Sequence, residues 1–243
     1  MNITSENTVG EVAIAFPSTI RVFEQYRIDY CCGAAQSIAD ACSDKGLAVN
    51  VLIDRLKQAS QETPPPRMRD WTKTSLTELV DHILETHHRY LYDEIPRLRQ
   101  MVSKVIAVHG EGHPESLIPL GRVFEGLEDE LAGHMFKEER VLFPLIKEME
   151  SAKESGTSLP EFGCGSVNNP IRVMRYEHDN AGNALSEMRR LTNDYIPPED
   201  ACNTYRALFH GLLALEQDLH QHIHLENNIL FPRAIALEEV LTT

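Results

Sequence analysis

The sequence lacks the features typical of nucleic-acid-binding and membrane-spanning proteins. It has 23 Lys and Arg against 37 Asp and Glu, and its net charge is -14. Because a duplex-binding surface needs clustered cations, we expect no nucleic-acid partner, and the same shortage argues against binding to an anionic membrane. No apolar run approaches the ~18 residues that cross a bilayer, so we expect no membrane partner. The N-terminus has no basic region ahead of a long apolar stretch, which predicts a cytoplasmic protein.

Cysteine is scarce and does not form a recognisable pattern. The five cysteines are Cys31, Cys32, Cys42, Cys164 and Cys202. Their odd number and the adjacent pair do not suggest a disulfide framework. No C-x-x-C pair occurs, so a thiolate zinc site is not expected. What needs an explanation is the presence of 11 histidines in an acidic chain.

The prolines Pro64, Pro65 and Pro66 divide the chain, since three consecutive prolines favour an extended linker. We predict a small helical N-terminal domain over residues 1–60, a linker over 61–74 and a second domain over 75–243. No segment has the alternating pattern of a strand. Long amphipathic segments predict an all-α fold, in which the second domain is an antiparallel four-helix bundle. The four helices are predicted from Ser75 towards Val108, from Glu115 to Pro144 or slightly beyond, from Asn169 to Asp194, and from Pro198 past Glu226.

An internal repeat is the most informative feature of the sequence. Residues 134–144 and 222–232 match in His, Glu, Leu, Phe and Pro at the same offsets. A further histidine precedes each copy, His88 by 46 residues and His178 by 44. The repeat predicts two helix pairs around a pseudo-two-fold axis, each pair contributing two histidines and one glutamate.

The heptad pattern places these side chains on the inward seams of the four helices. The seams are otherwise apolar, and we expect Leu84 and Val141 among their inward residues. A buried carboxylate that lacks a partner costs several kcal/mol, so the buried glutamates need a shared cation. The predicted metal ligands are His88, His134, Glu138, His178, His222 and Glu226.

Four imidazoles and two carboxylates exceed the four ligands of one zinc but suit two metals bridged by both glutamates. Carboxylate bridging in a helical bundle is typical of di-iron and di-manganese proteins. The order His-x-x-x-Glu resembles the hemerythrin arrangement. Oxygen-carrying hemerythrins have another histidine where this chain has Gly182, so reversible oxygen carriage is not expected.

The sequence leaves the roles of three other acidic residues near the seams open. Glu130 and Asp218 lie four residues before His134 and His222, and they could orient a ligand imidazole, line an access path, or lie on a solvated bundle edge. The same choice applies to Glu177. The remaining histidines are out of phase and are predicted not to bind metal: His82, His87, His109, His113, His210, His220 and His224.

With these motifs, the chain resembles the RIC family, the hemerythrin-like di-iron proteins that repair iron centres. The resemblance rests on segments 9–33, 81–83, 134–139, 177–179 and 225–232 and covers nearly the whole chain. It implies the same six ligands and two iron ions, joined by an oxo or hydroxo bridge. It also implies repair of iron-sulfur clusters under nitrosative and oxidative stress by iron donation, with damaged iron-sulfur proteins as partners.

The adjacent thiols Cys31 and Cys32 are the second candidate site. We expect a helix from about Gln36, whose N-terminus would lower the thiol pKa. The pair could serve as redox or iron-transfer thiols, or be two small residues at a turn. For the bundle, two alternatives to iron donation remain: an enzyme that reduces nitric oxide to nitrous oxide, or a sensor of nitric oxide or dioxygen. A homodimer is left open.

Overall fold

The computed structural model describes residues 2–62, 69–158 and 163–242 of the chain. Within these ranges all regular secondary structure is helical, apart from an isolated bridge between Thr8 and Ser37, so the all-α prediction is confirmed. None of the described helices is long and apolar enough to cross a membrane. The predicted proline linker, Pro64 to Pro66, lies outside the described residues.

The chain divides into two compact units. The N-terminal unit comprises Met1–Ser75 and His220–Arg233, and the bundle unit comprises Leu76–Leu219 and Ala234–Thr243. A helical segment from the second repeat therefore belongs to the N-terminal unit.

The N-terminal unit contains short helices around its own apolar core. Helices α1 to α4 span Val9–Ala15, Ile20–Tyr26, Ile38–Lys45 and Val49–Ser60, and a short 3-10 turn, Pro17–Thr19, precedes α2. A capping box starts α1, in which the Glu11 backbone N–H donates to Thr8 Oγ1 and the Thr8 backbone N–H donates to Glu11 Oε2. The core includes Phe23, Tyr30 and Leu56.

The bundle unit is built from longer helices. Helices α5 to α11 span Leu76–Ile83, Arg89–His109, Pro114–Lys137, Phe143–Ser155, Asn168–Leu191, Asn203–Leu225 and Phe231–Thr242. Of these, residues 220–225 of α10 and 231–233 of α11 belong to the N-terminal unit. Buried side chains of α6, α7, α9 and the part of α10 up to Leu219 form one apolar core, which includes Leu98, Phe124, Leu185 and Leu212. The predicted helices are thus present, although the second extends to Ser155 and the fourth begins only at Asn203.

In the part of the chain that the structure describes, three π-helical segments interrupt the long helices: Leu84–His88, Glu138–Leu142 and Glu226–Leu230. A π turn holds one residue more than an α turn and so advances the side-chain phase. The expected inward position of Val141 is therefore wrong, since Val141 is 50% exposed while Leu142 is buried. Leu84 is only partly buried and Ile83 is fully buried, for the same reason.

Two glutamates extend the repeat beyond the matching residues. In the bundle unit the backbone N–H groups of Leu76 and Thr77 donate to the Glu150 carboxylate at 2.7 and 2.8 Å. The Val167 backbone N–H likewise donates to Glu238 at 2.8 Å. Glu150 and Glu238 each follow the glutamate of their repeat by the same number of residues. Each carboxylate thus caps a helix whose N–H groups would otherwise have no partner.

Candidate metal centre

Glu138 is a buried carboxylate of the bundle unit that lies beside two of the predicted histidine ligands. Its side chain is 0% exposed. Nε2 of His88 and Nε2 of His134 lie 3.3 and 3.4 Å from Glu138 Oε2. Among the residues that the structure describes, neither oxygen of Glu138 receives a hydrogen bond. A carboxylate in this position is costly unless a positive charge lies beside it.

A carboxylate from the neighbouring helix orients the imidazole of His134. Nδ1 of His134 lies 2.9 Å from Glu177 Oε2, and Lys137 also donates to Glu177. Because the carboxylate can only accept, Nδ1 of His134 carries a proton, and Nε2 is the nitrogen of this ring that can bind a metal ion. Burial opposes ionisation of Glu177, but hydrogen bonds from Lys137 and His134 lower its pKa overall. Nε2 of His178 lies 3.1 Å from Nε2 of His134.

His88 is held in the same way. Its Nδ1 lies 2.8 Å from Glu139 Oε1, which also accepts a hydrogen bond from the Tyr92 hydroxyl at 3.0 Å. With a proton on Nδ1, Nε2 is the nitrogen of His88 that faces Glu138 and can bind a metal ion. Two histidines on different helices therefore have the same arrangement of carboxylate, Nδ1–H and inward Nε2.

This arrangement fits a bound cation. Lone pairs of imidazole nitrogens and an ionised carboxylate repel one another unless a proton or metal ion lies between them. Carboxylates on the outer nitrogens are the partners that metal-binding histidines usually have. Imidazole and carboxylate together suit iron and other first-row metals. The buried His and Glu groups of the bundle unit could therefore hold a metal ion.

The remaining two predicted ligands lie in the N-terminal unit. His222 is at the end of α10, and Glu226 begins the following π segment. Both are buried, and His222 Nε2 lies 3.1 Å from Glu226 Oε1. The second copy of His-x-x-x-Glu thus has the same local geometry as His134 and Glu138, one helical turn apart.

The polar residues that the sequence left open have different environments. Asp218 Oδ1 lies 3.0 Å from Nδ1 of His87 and so contacts a histidine outside the predicted ligand set. Glu130 is exposed. Glu177 is the member of this group that orients a predicted ligand.

Sequence reasoning missed Glu139 as the partner of His88. The internal repeat could not reveal it, because Asn227 occupies the matching position of the second copy. It also missed the π segments, although the adjacent buried pairs His87–His88 and Leu142–Phe143 are a signal of a phase shift.

Cys31 and Cys32 lie in a turn of the N-terminal unit. The expected helix is α3, which begins at Ile38 and is capped by Ser37, but the pKa of Cys31 is not lowered as expected. Instead, a hydrogen bond to Cys32, burial and the nearby Asp29 carboxylate raise the pKa of the Cys31 thiol. Cys31 is therefore a poor nucleophile at neutral pH.

Two family models match the chain. Residues 79–234 match the hemerythrin HHE cation binding domain. Residues 5–60 match a domain of unknown function, DUF542. The first match covers more than half of the sequence and includes all six predicted ligands.

Curated relatives match over almost the full length. The iron-sulfur cluster repair protein YtfE of Dickeya chrysanthemi (strain Ech1591) is 38% identical over 232 residues, which are 95% of this chain and 97% of the relative. The protein of the same name from Escherichia coli O81 (strain ED1a) is 37% identical over 233 residues, 96% of this chain and 98% of the relative. This chain therefore belongs to the hemerythrin-like family of iron-sulfur cluster repair proteins.

Proposed function

We propose that this protein repairs iron-sulfur clusters damaged by nitrosative or oxidative stress, and that it does so by donating iron. The observation that carries the proposal is the buried Glu138 carboxylate, which faces the inward nitrogens of His88 and His134 without a hydrogen bond from the described residues. Burying these groups together without a bound cation would lower the stability of the folded protein. The repair activity named for the relatives supplies the purpose of the metal.

We further propose that the metal is a pair of iron ions and that six residues hold it. The support is the buried position of every member, the matching His-x-x-x-Glu geometry of the two repeats, and the helical phase that continues from Leu215 and Leu219 to His222 and Glu226. The proposed ligands are His88, His134, Glu138, His178, His222 and Glu226.

Two neighbouring carboxylates orient the histidines for metal binding. Glu139 and Glu177 hold the Nδ1 protons of His88 and His134, which fixes the tautomer and the ring orientation. When bound, iron supplies an exchangeable cargo and open coordination positions for a small ligand. Glu139 is partly exposed, so the polar contacts of His88 lead towards solvent.

Reduction of nitric oxide is a second candidate, favoured by a cavity in the bundle unit. The cavity has a volume of about 500 Å³ and reaches the proposed ligand His88 and its hydrogen-bond partner Glu139. A small molecule could therefore approach this part of the centre. The residues that line the cavity are Leu84, His88, Arg89, Tyr92, Asp93, Glu139 and Arg140.

An isotope-transfer experiment tests iron donation. The protein is loaded with labelled iron and mixed with the apo form of an iron-sulfur protein, and cluster recovery and label are followed in the presence of a chelator that captures free iron. We expect label in the restored cluster from the wild type and from the exposed-site control Glu130→Gln. Glu138→Gln should give little transfer. Restoration that the chelator abolishes would show that the iron passes through solution and would contradict the proposal.

A nitric oxide assay separates the two candidates. The iron-loaded, reduced protein is given excess nitric oxide and an electron donor, and nitrous oxide is measured in the headspace. Many turnovers per chain would support the enzyme. Formation of no more nitrous oxide than the bound iron accounts for, together with label transfer, would leave iron donation as the function.

A further inference from the structure

The turn that contains the two adjacent cysteines brings three metal-binding groups together. One ligand atom from each of Asp29, Cys31 and Cys32 lies within 4.8 Å of the others. We propose that these three residues form a second metal site, separate from the His and Glu groups, which binds a thiophilic divalent cation. Two thiolates and one carboxylate are a donor set that the histidine centre does not provide.

Asp29 is the residue that organises this site. Its Oδ1 accepts hydrogen bonds from the backbone N–H groups of Cys31 and Cys32 at 2.9 and 3.0 Å, and Cys31 Sγ lies 3.2 Å away. Its Oδ2 faces Gly33, where an added Cβ would lie only 3.1 Å from that oxygen. The glycine therefore leaves room beside the oxygen that the two backbone N–H groups do not use.

The charges favour a cation over a reactive thiol. In the absence of a metal, the hydrogen bond to Cys32, burial and the Asp29 carboxylate all oppose ionisation of Cys31 and raise its pKa. A divalent cation would reverse this effect, because its two positive charges offset most of the three negative charges of the carboxylate and the two thiolates. The arrangement that suppresses nucleophilic chemistry is thus one in which a metal ion can be bound.

The turn is held in place from the opposite side within the N-terminal unit. The Tyr30 carbonyl accepts a hydrogen bond from Asn228 Nδ2 at 3.1 Å and lies 3.2 Å from His224 Nδ1. Asn228 Nδ2 also lies 3.4 Å from the Cys31 carbonyl. These hydrogen bonds therefore fix the backbone of the turn.

The proposed thiol site is accessible to a metal ion, and binding at it requires no redox step. Asp29 is exposed and Cys32 is partly exposed, whereas Cys31 is buried. Binding breaks two S–H bonds, forms two metal–sulfur bonds, and releases two protons to solvent with no transfer of electrons. The inference rests on the proposed function only in naming ferrous iron as the natural cation; the thiol site itself does not require it.

A cadmium titration of the full chain tests the site, because the ultraviolet thiolate-to-cadmium band reports sulfur ligands alone. The background variant carries Cys164→Ser and Cys202→Ser, which removes two other thiols. We expect one equivalent of Cd²⁺ to give the band and to release about two protons. The double variant Cys31→Ala, Cys32→Ala should lose the band. Asp29→Asn keeps an oxygen acceptor for the backbone and should weaken Cd²⁺ binding at least about tenfold.

The controls separate this site from the histidine centre. Asp54→Asn removes an exposed carboxylate of the same unit and should bind Cd²⁺ as the background variant does. Glu138→Gln should retain the thiolate band even if the proposed iron centre is lost. A repeat with anaerobic Fe²⁺ in the Glu138→Gln variant should again show thiolate-dependent binding. A band that survives in the double cysteine variant, or equal affinities of Asp29→Asn and Asp54→Asn, would overturn the proposal.

Discussion

At the residue scale, Glu138 shows how one buried carboxylate can indicate a metal. It is fully buried, and the imidazole nitrogens that approach it hold their protons on the opposite side of each ring. A structural glutamate would be expected to receive hydrogen bonds in such a place. The chemistry of the group, more than its position on a helical seam, argues for a cation.

Replacing Glu138 should therefore have a larger effect on metal content than replacing a nearby carboxylate. We expect Glu138→Gln to lower bound iron to less than about half of the wild-type level, because in the proposed pair of iron ions this carboxylate would serve both metals. Glu130→Gln, an exposed site, should leave iron content unchanged. Metal analysis of the purified variants makes the measurement. Equal losses in the two variants would remove the distinction between them.

Cys202 is a different kind of thiol from Cys31. Hydrogen bonds from the Tyr205 backbone N–H and from His109 lower the pKa of Cys202 to about 7, and the side chain is exposed. Because only the thiolate is nucleophilic, reactivity should rise as the pH increases through this value.

Alkylation of Cys202 should follow a pH profile with a midpoint near 7. About half of this thiol is then ionised at pH 7, against a few per cent for an ordinary cysteine. His109→Gln should move the midpoint towards the ordinary value. Iodoacetamide labelling at a series of pH values, followed by peptide mass spectrometry, gives the profile. A wild-type midpoint above about 8.5 would contradict the assignment.

At the element scale, the π segments set the phase of three long helices. The segment Glu138–Leu142 follows His134 directly and contains the central carboxylate. Its extra residue allows both Glu138 and Leu142 to be buried while Val141 is exposed. π segments of this kind are frequent at functional sites, where they change the direction of a side chain.

Deleting Val141 should restore an α-helical phase and disturb both sides of the segment. The residues that follow would rotate by about 100° relative to those before it. We expect lower stability and loss of iron, since Leu142 and Phe143 would leave their buried positions. Val141→Ala should change the free energy of unfolding by no more than about 0.5 kcal/mol, because the side chain is exposed. Urea unfolding and metal analysis test both variants, and a deletion variant that behaves like Val141→Ala would show that the extra residue is dispensable.

At the scale of the whole molecule, metal binding and folding should be coupled. The proposed ligands are distant in sequence and come from several helices, so a bound metal stabilises only the folded chain. Without the metal, the buried imidazole nitrogens and carboxylates that face one another would repel each other and destabilise the folded chain.

Removal of iron by a chelator should lower the melting temperature. Binding at about 100 times the dissociation constant contributes roughly 2.7 kcal/mol, which corresponds to about 5–10 °C for a chain of this size. Differential scanning calorimetry with and without iron measures the shift. Glu138→Gln should show a much smaller response to iron, and an equal response of wild type and variant would contradict a role of Glu138 in binding.

Much of this protein follows from the sequence alone. The all-α fold, the long helices and the resemblance to iron-centre repair proteins follow from helical periodicity and from the repeat, which are local signals read along the chain. The same periodicity selected the six predicted ligands, all of which are buried in the structure. Their assignment as ligands stays a prediction, which metal analysis can test.

Other features were decided only by the tertiary structure. A hydrogen-bond partner depends on which helices are neighbours. The periodicity of the sequence therefore does not predict that Glu139 contacts His88 or that Asp218 contacts His87. The direction of a pKa shift likewise depends on burial, hydrogen bonds and nearby charge. The hydrogen bond to Cys32, burial and the Asp29 carboxylate raise the pKa of the Cys31 thiol, whereas the sequence predicted a lower pKa from a helix N-terminus. Backbone phase is local, but the environment of a side chain is assembled from residues far apart in sequence, and that environment sets the chemistry.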